Sequence, residues 1–256
     1  MVTMVQLWEP APQQVALAAN EVHLWRASLE VEDTTIHQLY PLLNSAEQDR
    51  AGRFRFERDR RRFIVARANL RKILSCYLNR NAQDICFVYG PHGKPALGFE
   101  QNEGNIKFNL SHAKGWAIYA IIQHHEIGVD IEAMQPKLSW QNLVERFFSE
   151  DEKALIQQTP KSIQRQLFFQ AWTRKEAVLK AIGCGLSLSP ECIEVALAAA
   201  PSTYLAQASW GAKGNYDLSL YDIKLASNYV GALAIEHNQL GMQFRHYIAP
   251  SLSEVK

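Results

Sequence analysis

Three carboxylates and one lysine carry the clearest chemical signal in this chain. In Gly128-Val129-Asp130-Ile131-Glu132, apolar residues alternate with two acids. Strand side chains alternate between faces, so Asp130 and Glu132 face one way and Val129 and Ile131 the other. In Trp172-Thr173-Arg174-Lys175-Glu176-Ala177-Val178-Leu179-Lys180 the pattern is helical. Trp172, Leu179 and Ile182 supply the apolar positions, and Glu176 and Lys180 sit one turn apart on one face. If strand and helix meet, Asp130, Glu132 and Glu176 offer only oxygen donors, the set that suits a small hard cation. Lys180 beside them would favour a phosphate-bearing substrate. Each piece alone also has a plainer reading: a solvated sheet face for the strand, and for the helix a surface pair worth roughly 0.2–0.5 kcal/mol.

The elements that must position these groups can be traced along the chain. Glu21–Leu29 reads as a first strand, followed by helical stretches over Ile36–Leu43 and from Ser45. Asn44 or Ser45 is the expected cap, with Glu47 and Asp49 in the first turn. Arg50–Arg71 is the most basic run. From Asp59 onward Phe63, Leu70 and Leu74 recur at helical spacing, which predicts an amphipathic helix packed on a sheet. Most of its arginines read as a solvated face, and a subset as a polyanion site. Ile85–Tyr89 predicts a strand, Gly90-Pro91-His92-Gly93-Lys94-Pro95 a tight loop. Ile106–Leu110 and Trp116–Ile122 predict strands joined by a turn, Ser111-His112-Ala113-Lys114-Gly115. Ser149 with Glu152 three residues on is a capping box, which accounts for Glu152 structurally and leaves a catalytic role as the alternative. Gln164–Ile182 predicts one long helix stopped at Gly183 and Gly185. Strands follow over Ser187–Ala199, Leu218–Leu225, Tyr229–Glu236 and Met242–Tyr247, with a disordered end. The first twenty residues predict a partly ordered lead-in. Residues 115–121 loosely echo residues 229–235, which suggests two similar lobes with a cleft between them.

Composition narrows the classes. With 47% hydrophobic and 21% charged residues the chain has the make-up of a globular protein. A formal net charge of +1 gives no global signature for nucleic acid or membrane, so any electrostatic function must be local. Cys76, Cys86, Cys184 and Cys192 form no Cys-x-x-Cys pair and read as buried thiols of a reducing compartment. Met1–Pro12 lacks the pattern of a secretory signal, and no apolar run is long enough to span a bilayer. A cytoplasmic, monomeric protein is expected.

The acidic strand followed by Trp-x-x-Lys-Glu-Ala-x-x-Lys, with Gly93-Lys94-Pro95 and Phe108-Asn109-Leu110-Ser111-His112 before them, resembles the Sfp-type 4′-phosphopantetheinyl transferases. The alanine after Glu176 resembles the Lys-Glu-Ala branch. The resemblance runs from about Arg50 to Leu188. It implies an α+β fold of two pseudo-symmetric lobes, each a small antiparallel sheet packed on a long helix, here 1–127 and 128–256, with the active site at their junction. It implies transfer of the phosphopantetheine arm of coenzyme A to a serine of an apo acyl or peptidyl carrier protein, releasing adenosine 3′,5′-bisphosphate. Such activation serves fatty acid, polyketide or nonribosomal peptide biosynthesis.

Carried over by motif, Asp130, Glu132 and Glu176 would bind magnesium, and Asp130 would also border the coenzyme. Lys180 would touch the pyrophosphate, and Glu152 would be the candidate base. Gly93, Lys94 and Pro95 would border the adenine, and Asn109, Ser111 and His112 would lie at the coenzyme, the last two on phosphate. Arg62 would take the 3′-phosphate, with Arg50 as a second basic contact. Glu47 or Gln48 falls where some members carry a further lysine. For docking an acidic carrier, the segment with Met134, Pro136, Lys137, Leu138, Trp140 and Arg146 is apolar with basic edges. Alternatively, Leu138 and Trp140 pack the second core. Two other functions fit the residues: another metal-dependent phosphoryl-transfer or nucleotide-cleaving enzyme, or a non-catalytic module binding RNA or an acidic partner through Arg50–Arg71.

Overall fold

The computed structural model describes residues 7–12, 15–135, 139–195, 197, 204–210, 214–236 and 242–250. The expected disordered end beyond 250 lies outside them. The chain begins with β1 (Glu21–Ser28), α1 (Asp33–Leu39), α2 (Ser45–Gly52) and α3 (Glu57–Leu78). A short hairpin of β2 (Phe87–Tyr89) and β3 (Pro95–Leu97) precedes β4 (Ile106–Ala113), β5 (Trp116–Gln123) and β6 (Ile127–Ala133). Three helices follow, α4 (Trp140–Phe147), α5 (Glu150–Gln158) and α6 (Lys161–Ile182), then β7 (Tyr204–Trp210), β8 (Gly214–Ile223), β9 (Tyr229–Ile235) and β10 (Gln243–Ile248).

Local chemistry explains the helix ends. Asn44 caps α2 and Ser149 caps α5, each in a complete capping box with Glu47 and Glu152 respectively. The two 22-residue helices, α3 and α6, stop at residues in the left-handed conformation, Asn79 and Gly183.

Two four-stranded sheets, ordered β10-β1-β5-β4 and β6-β9-β8-β7, pack face to face. Val22, Leu24, Ile118, Ala120 and Ile122 of the first meet Val129, Ile131, Leu233 and Ile235 of the second. Helix α3 covers the outer face of the first sheet, through Ile64, Leu70 and Leu74 on Trp25 and Tyr119. Helix α6 covers the outer face of the second, with Phe168, Ala177 and Ala181 against Leu218, Ala232 and Ala234. The echo between residues 115–121 and 229–235 falls on β5 and β9, each an inner strand of its sheet.

Several features differ from expectation, and one is the stretch read as a strand from Ser187, where Gly185–Ser187 and Pro190–Cys192 form 3-10 turns. The last strand does not stay with the second half of the chain: β10 pairs with β1, in parallel, so the first sheet is mixed and 242–250 lies beyond a division at 127/128. Ser111 and His112 are not in a turn. The ladder runs through them, opposite Ile118 and Ala117, and a two-residue turn suffices because Lys114 takes a left-handed conformation before Gly115. Of the four free cysteines only Cys184 is buried; Cys86 and Cys192 are exposed.

Candidate active site

The edge strands β4 and β6 carry the site. Val129 and Ile131 point their backbone N–H groups away from β9, and side chains of β4 meet them: Asn109 Oδ1 accepts from Val129 N at 2.9 Å, and Ser111 Oγ from Ile131 N at 3.4 Å. A sheet edge is thus satisfied by side chains, and the two sheets are locked in register there. Period two puts Gly128, Asp130 and Glu132 on the face turned to α6. Gly128 lets that helix come close, since a Cβ there would lie under 3.0 Å from Ala177 O and Ala181 N.

This approach delivers Lys180 onto the strand. Its Nζ donates to Asp130 Oδ1 at 2.6 Å and to Ser111 Oγ at 2.9 Å, and Ser111 Oγ in turn donates to Asp130 Oδ1 at 2.9 Å. The other oxygen, Asp130 Oδ2, is buried and accepts from no group of the protein. Burial, followed by the charges of Asp130 and Glu176, pushes Glu132 up to about 7. Burial, then Asp130, also raises Glu176. The three carboxylates therefore share one electrostatic neighbourhood that a single lysine leaves short of positive charge.

They line one cleft of about 500 Å³, together with Arg50, Gly93, Pro95, Ser111, His112 and Lys180. A hollow of about 250 Å³ adjoins it, sharing Gly93, Pro95, Glu176 and Lys180 and adding Lys94 and Asn109. Among the described residues, however, no three His, Cys, Asp or Glu side chains form a ready group for a metal ion. The acids repel one another, and Lys180 holds one oxygen of Asp130. The donor set still fits a hard divalent cation: all oxygens, one of them buried without a partner, and two carboxyls raised first by burial and then by neighbouring negative charge.

These shifts carry a pH prediction. Glu132 ionises near 7 in the fold against 4.5 ordinarily, so its contribution to stability is complete below about 4.5 and is lost as pH rises through about 7. In a chelator, Glu132→Gln should match the parent near pH 5 and melt higher at pH 8. The gain, discounted for partial solvation, is on the order of 1–2 kcal/mol or roughly 3–6 °C. An equal difference at both pH values would show that Glu132 is not strained by its neighbours.

Other candidates are placed differently. Lys94 Nζ donates to Glu126 Oε2 at 2.8 Å and to Ala181 O at 2.9 Å, tying the Gly-Lys-Pro loop to the end of α6. Gly93 has a φ of 80°, the left-handed value that the tight hairpin needs. Desolvation, then the charge of Lys180, holds His112 below its usual value, although the ring reaches solvent.

Glu152 lines neither hollow. It accepts from Ser149 N at 2.9 Å and Val195 N at 3.4 Å and pairs at 2.8 Å with Lys175, a lysine with 0% exposure. These contacts account for Glu152 as a cap, mostly through Oε2, with Oε1 taking only the longer bond from Val195 N. Arg62 lines neither hollow and places its guanidinium on Glu30 Oε1 at 2.9 and 2.5 Å, near enough to His112 for its charge to help hold that ring down.

The basic run is largely neutralised: Arg58, Arg60 and Arg61 pair with Asp59, Glu57 and Asp33, and Arg71 with Glu47. That argues against an open polyanion surface. In the expected docking segment, Pro136, Lys137 and Leu138 lie outside the described residues. Trp140 packs on Phe168, with ring centroids 5.7 Å apart, and Met134 is half-buried against the same core.

Sequence reasoning missed Arg67 and did not separate Phe63 from the core. Both line the cleft from α3, one turn apart. Their spacing was the available signal, but it is shared by core positions.

Comparison with known proteins shows the family. Residues 126–234 match a family model described as the 4′-phosphopantetheinyl transferase superfamily, and residues 23–124 one described as 4′-phosphopantetheinyl transferase, N-terminal. The 4′-phosphopantetheinyl transferase HetI of Nostoc sp. (strain PCC 7120 / SAG 25.82 / UTEX 2576) is 36% identical over 241 residues, covering 94% of this chain and 98% of its own. The 4′-phosphopantetheinyl transferase ffp of Bacillus subtilis is 32% identical, covering 62% of this chain and 69% of its own. For the 4′-phosphopantetheinyl transferase Sfp of Bacillus subtilis (strain 168) the identity is 29%, over 60% and 66%.

Proposed function

Since the chain belongs to the 4′-phosphopantetheinyl transferase superfamily, we propose that its cleft transfers the phosphopantetheine arm of coenzyme A to a serine of an apo acyl or peptidyl carrier protein. The serine oxygen bonds to the β-phosphorus as its proton passes to water or to the leaving phosphate, the bond from that phosphorus to the bridging oxygen breaks, and adenosine 3′,5′-bisphosphate leaves with the electron pair. The observation that carries the reading is the buried Asp130 oxygen without a partner, beside Lys180 and two carboxyls raised by burial and then by their acidic neighbours.

Asp130, Glu132 and Glu176 would hold a magnesium ion, which when bound supplies neutralisation of the diphosphate charge. Lys180 reaches the same place from α6 and stabilises negative charge on the leaving group. Ser111 orients Lys180 and Asp130 by bonding both. His112 and Arg50 add donors for phosphate from the other wall of the cleft. Pro95 and the Gly93 backbone border the adenine, in a loop that Lys94 fixes to α6.

A monomer is the proposed working form. No described helix is long and apolar enough to cross a membrane. The cytoplasm, where coenzyme A and apo carriers meet, is the proposed place of work.

The test is direct. Incubated with coenzyme A, magnesium and a panel of apo carriers, the protein should add the mass of one phosphopantetheine to at least one of them, and chelator should stop it. No added mass on any carrier would refute the reading.

A further inference from the structure

The hairpin of β2 and β3 forms a two-stranded sheet of its own, bonded into neither of the four-stranded ones. Each of its strands has three residues, so its own ladder does little to fix where its tip sits. Yet Gly93 and Pro95 of that tip line both the cleft and the adjoining hollow. One side chain holds the tip in place. Lys94 Nζ donates to Glu126 Oε2 at 2.8 Å, to Ala181 O at 2.9 Å and to Ile127 O at 3.3 Å. An ammonium has three protons, and each finds its acceptor in another part of the fold. The hairpin is thereby tied to β6, which carries Asp130 and Glu132, and to α6, which carries Glu176 and Lys180.

Of the three acceptors only Glu126 is charged. Its carboxylate is divided, Oε2 taking Lys94 and Oε1 taking Lys107 of β4 at 2.7 Å, and its backbone O accepts from Glu236 N at 2.9 Å. Burial works against its ionisation, but the two lysines still hold it below the usual carboxylate value. The pair is half-buried, unlike Arg58 with Asp59 on the open surface, so it is screened less and holds its geometry better. What it frames is the hollow of about 250 Å³, lined by Pro95, Leu110 and Leu179 with Gly183 and Gly185, next to Lys180. Such a slot suits a flat ring joined to a diphosphate. We propose that Glu126 is a positioning residue for coenzyme A. By holding the Lys94 ammonium it keeps the Gly93–Pro95 tip at the spacing from α6 that the nucleotide half of the substrate needs, and so sets the affinity for that half. Glu126 touches no substrate itself; a wall fixed before binding costs less to order when the ligand docks. This rests on the transferase reading above.

The test measures kcat and KM for coenzyme A and for one apo carrier. It adds the inhibition constant of adenosine 3′,5′-bisphosphate, the product that keeps the nucleotide half and lacks the arm. The variants are Glu126→Gln, Lys94→Met, the two combined, and Lys107→Met. Glu126→Gln should raise KM for coenzyme A and the inhibition constant together by roughly tenfold, the effect of losing one charge-assisted contact. Its kcat and carrier KM should stay within about twofold. Lys94→Met should do the same, and the combined variant should add no more than about twofold, because both changes remove one bridge. Lys107→Met, which empties the other oxygen of Glu126, should leave KM for coenzyme A within about twofold. A merely structural pair would lower the melting temperature without separating the nucleotide constants from the carrier's. An unchanged KM in Glu126→Gln, an equal loss on both substrates, losses that multiply in the combined variant, or the same rise in Lys107→Met would each overturn the proposal. If Glu126→Gln does not fold, an unchanged KM in Lys94→Met overturns it alone. A parent that adds no arm to any carrier refutes the transferase reading, and this proposal with it, before any variant is made.

Discussion

Replacing Asp130 by Asn is expected to lower kcat/KM for arm transfer by about a thousandfold or more. Asp130 is the junction of the site: Lys180 and Ser111 both bond its Oδ1, and its Oδ2 is the buried oxygen without a partner. Asn keeps the shape but removes the negative charge. It can also turn an N–H₂ group toward Lys180, a donor facing a donor. Removing a single well-placed electrostatic group from an active site costs about 10²–10³ in rate. Here the same change weakens both the proposed cation site and the position of Lys180. Steady-state rates at saturating and limiting magnesium would measure it, with the melting temperature as a control. Activity within tenfold of the parent would mean that the chemistry does not run through this carboxylate.

A second large effect is expected far from any reacting atom. Gly128→Ala should destabilise the protein by roughly 3–5 kcal/mol, enough to lower its melting temperature by about 10 °C or to prevent soluble expression. The added Cβ would overlap Ala177 O, Ala181 N and Ala181 Cα, all backbone atoms of a helix that cannot move singly. Gly52→Ala is the matched control, because nothing lies within 4 Å of a Cβ there. If the two variants melt alike, strand β6 and helix α6 are not in the close contact described. If Gly128→Ala folds but is inactive, the close contact serves mainly to seat Lys180 on Asp130.

Some of this protein was determined by sequence alone, because the interactions concerned are short-range. Alternation along Val129–Glu132 decides that Asp130 and Glu132 share a face whatever the strand packs against. Helical periodicity places Glu176 and Lys180 together. Asn44 with Glu47 and Ser149 with Glu152 close their capping boxes within four residues, so both helix starts were legible.

What only the tertiary structure decided depends on partners far along the chain. The burial of Lys175 against Glu152 gave the capping carboxylate a charged partner that no local pattern announces. Arg62 pairs with Glu30, 32 residues away, while Arg67, beside Phe63, Phe87 and Glu47, comes to line the cleft. The return of Gln243–Ile248 to Glu21–Ser28 depended on a free strand edge that no local pattern announces. Nine arginines between residues 50 and 71 look alike in sequence. Their roles separate only when folding determines which of them meet an acid, which stack on a ring, and which line the cleft.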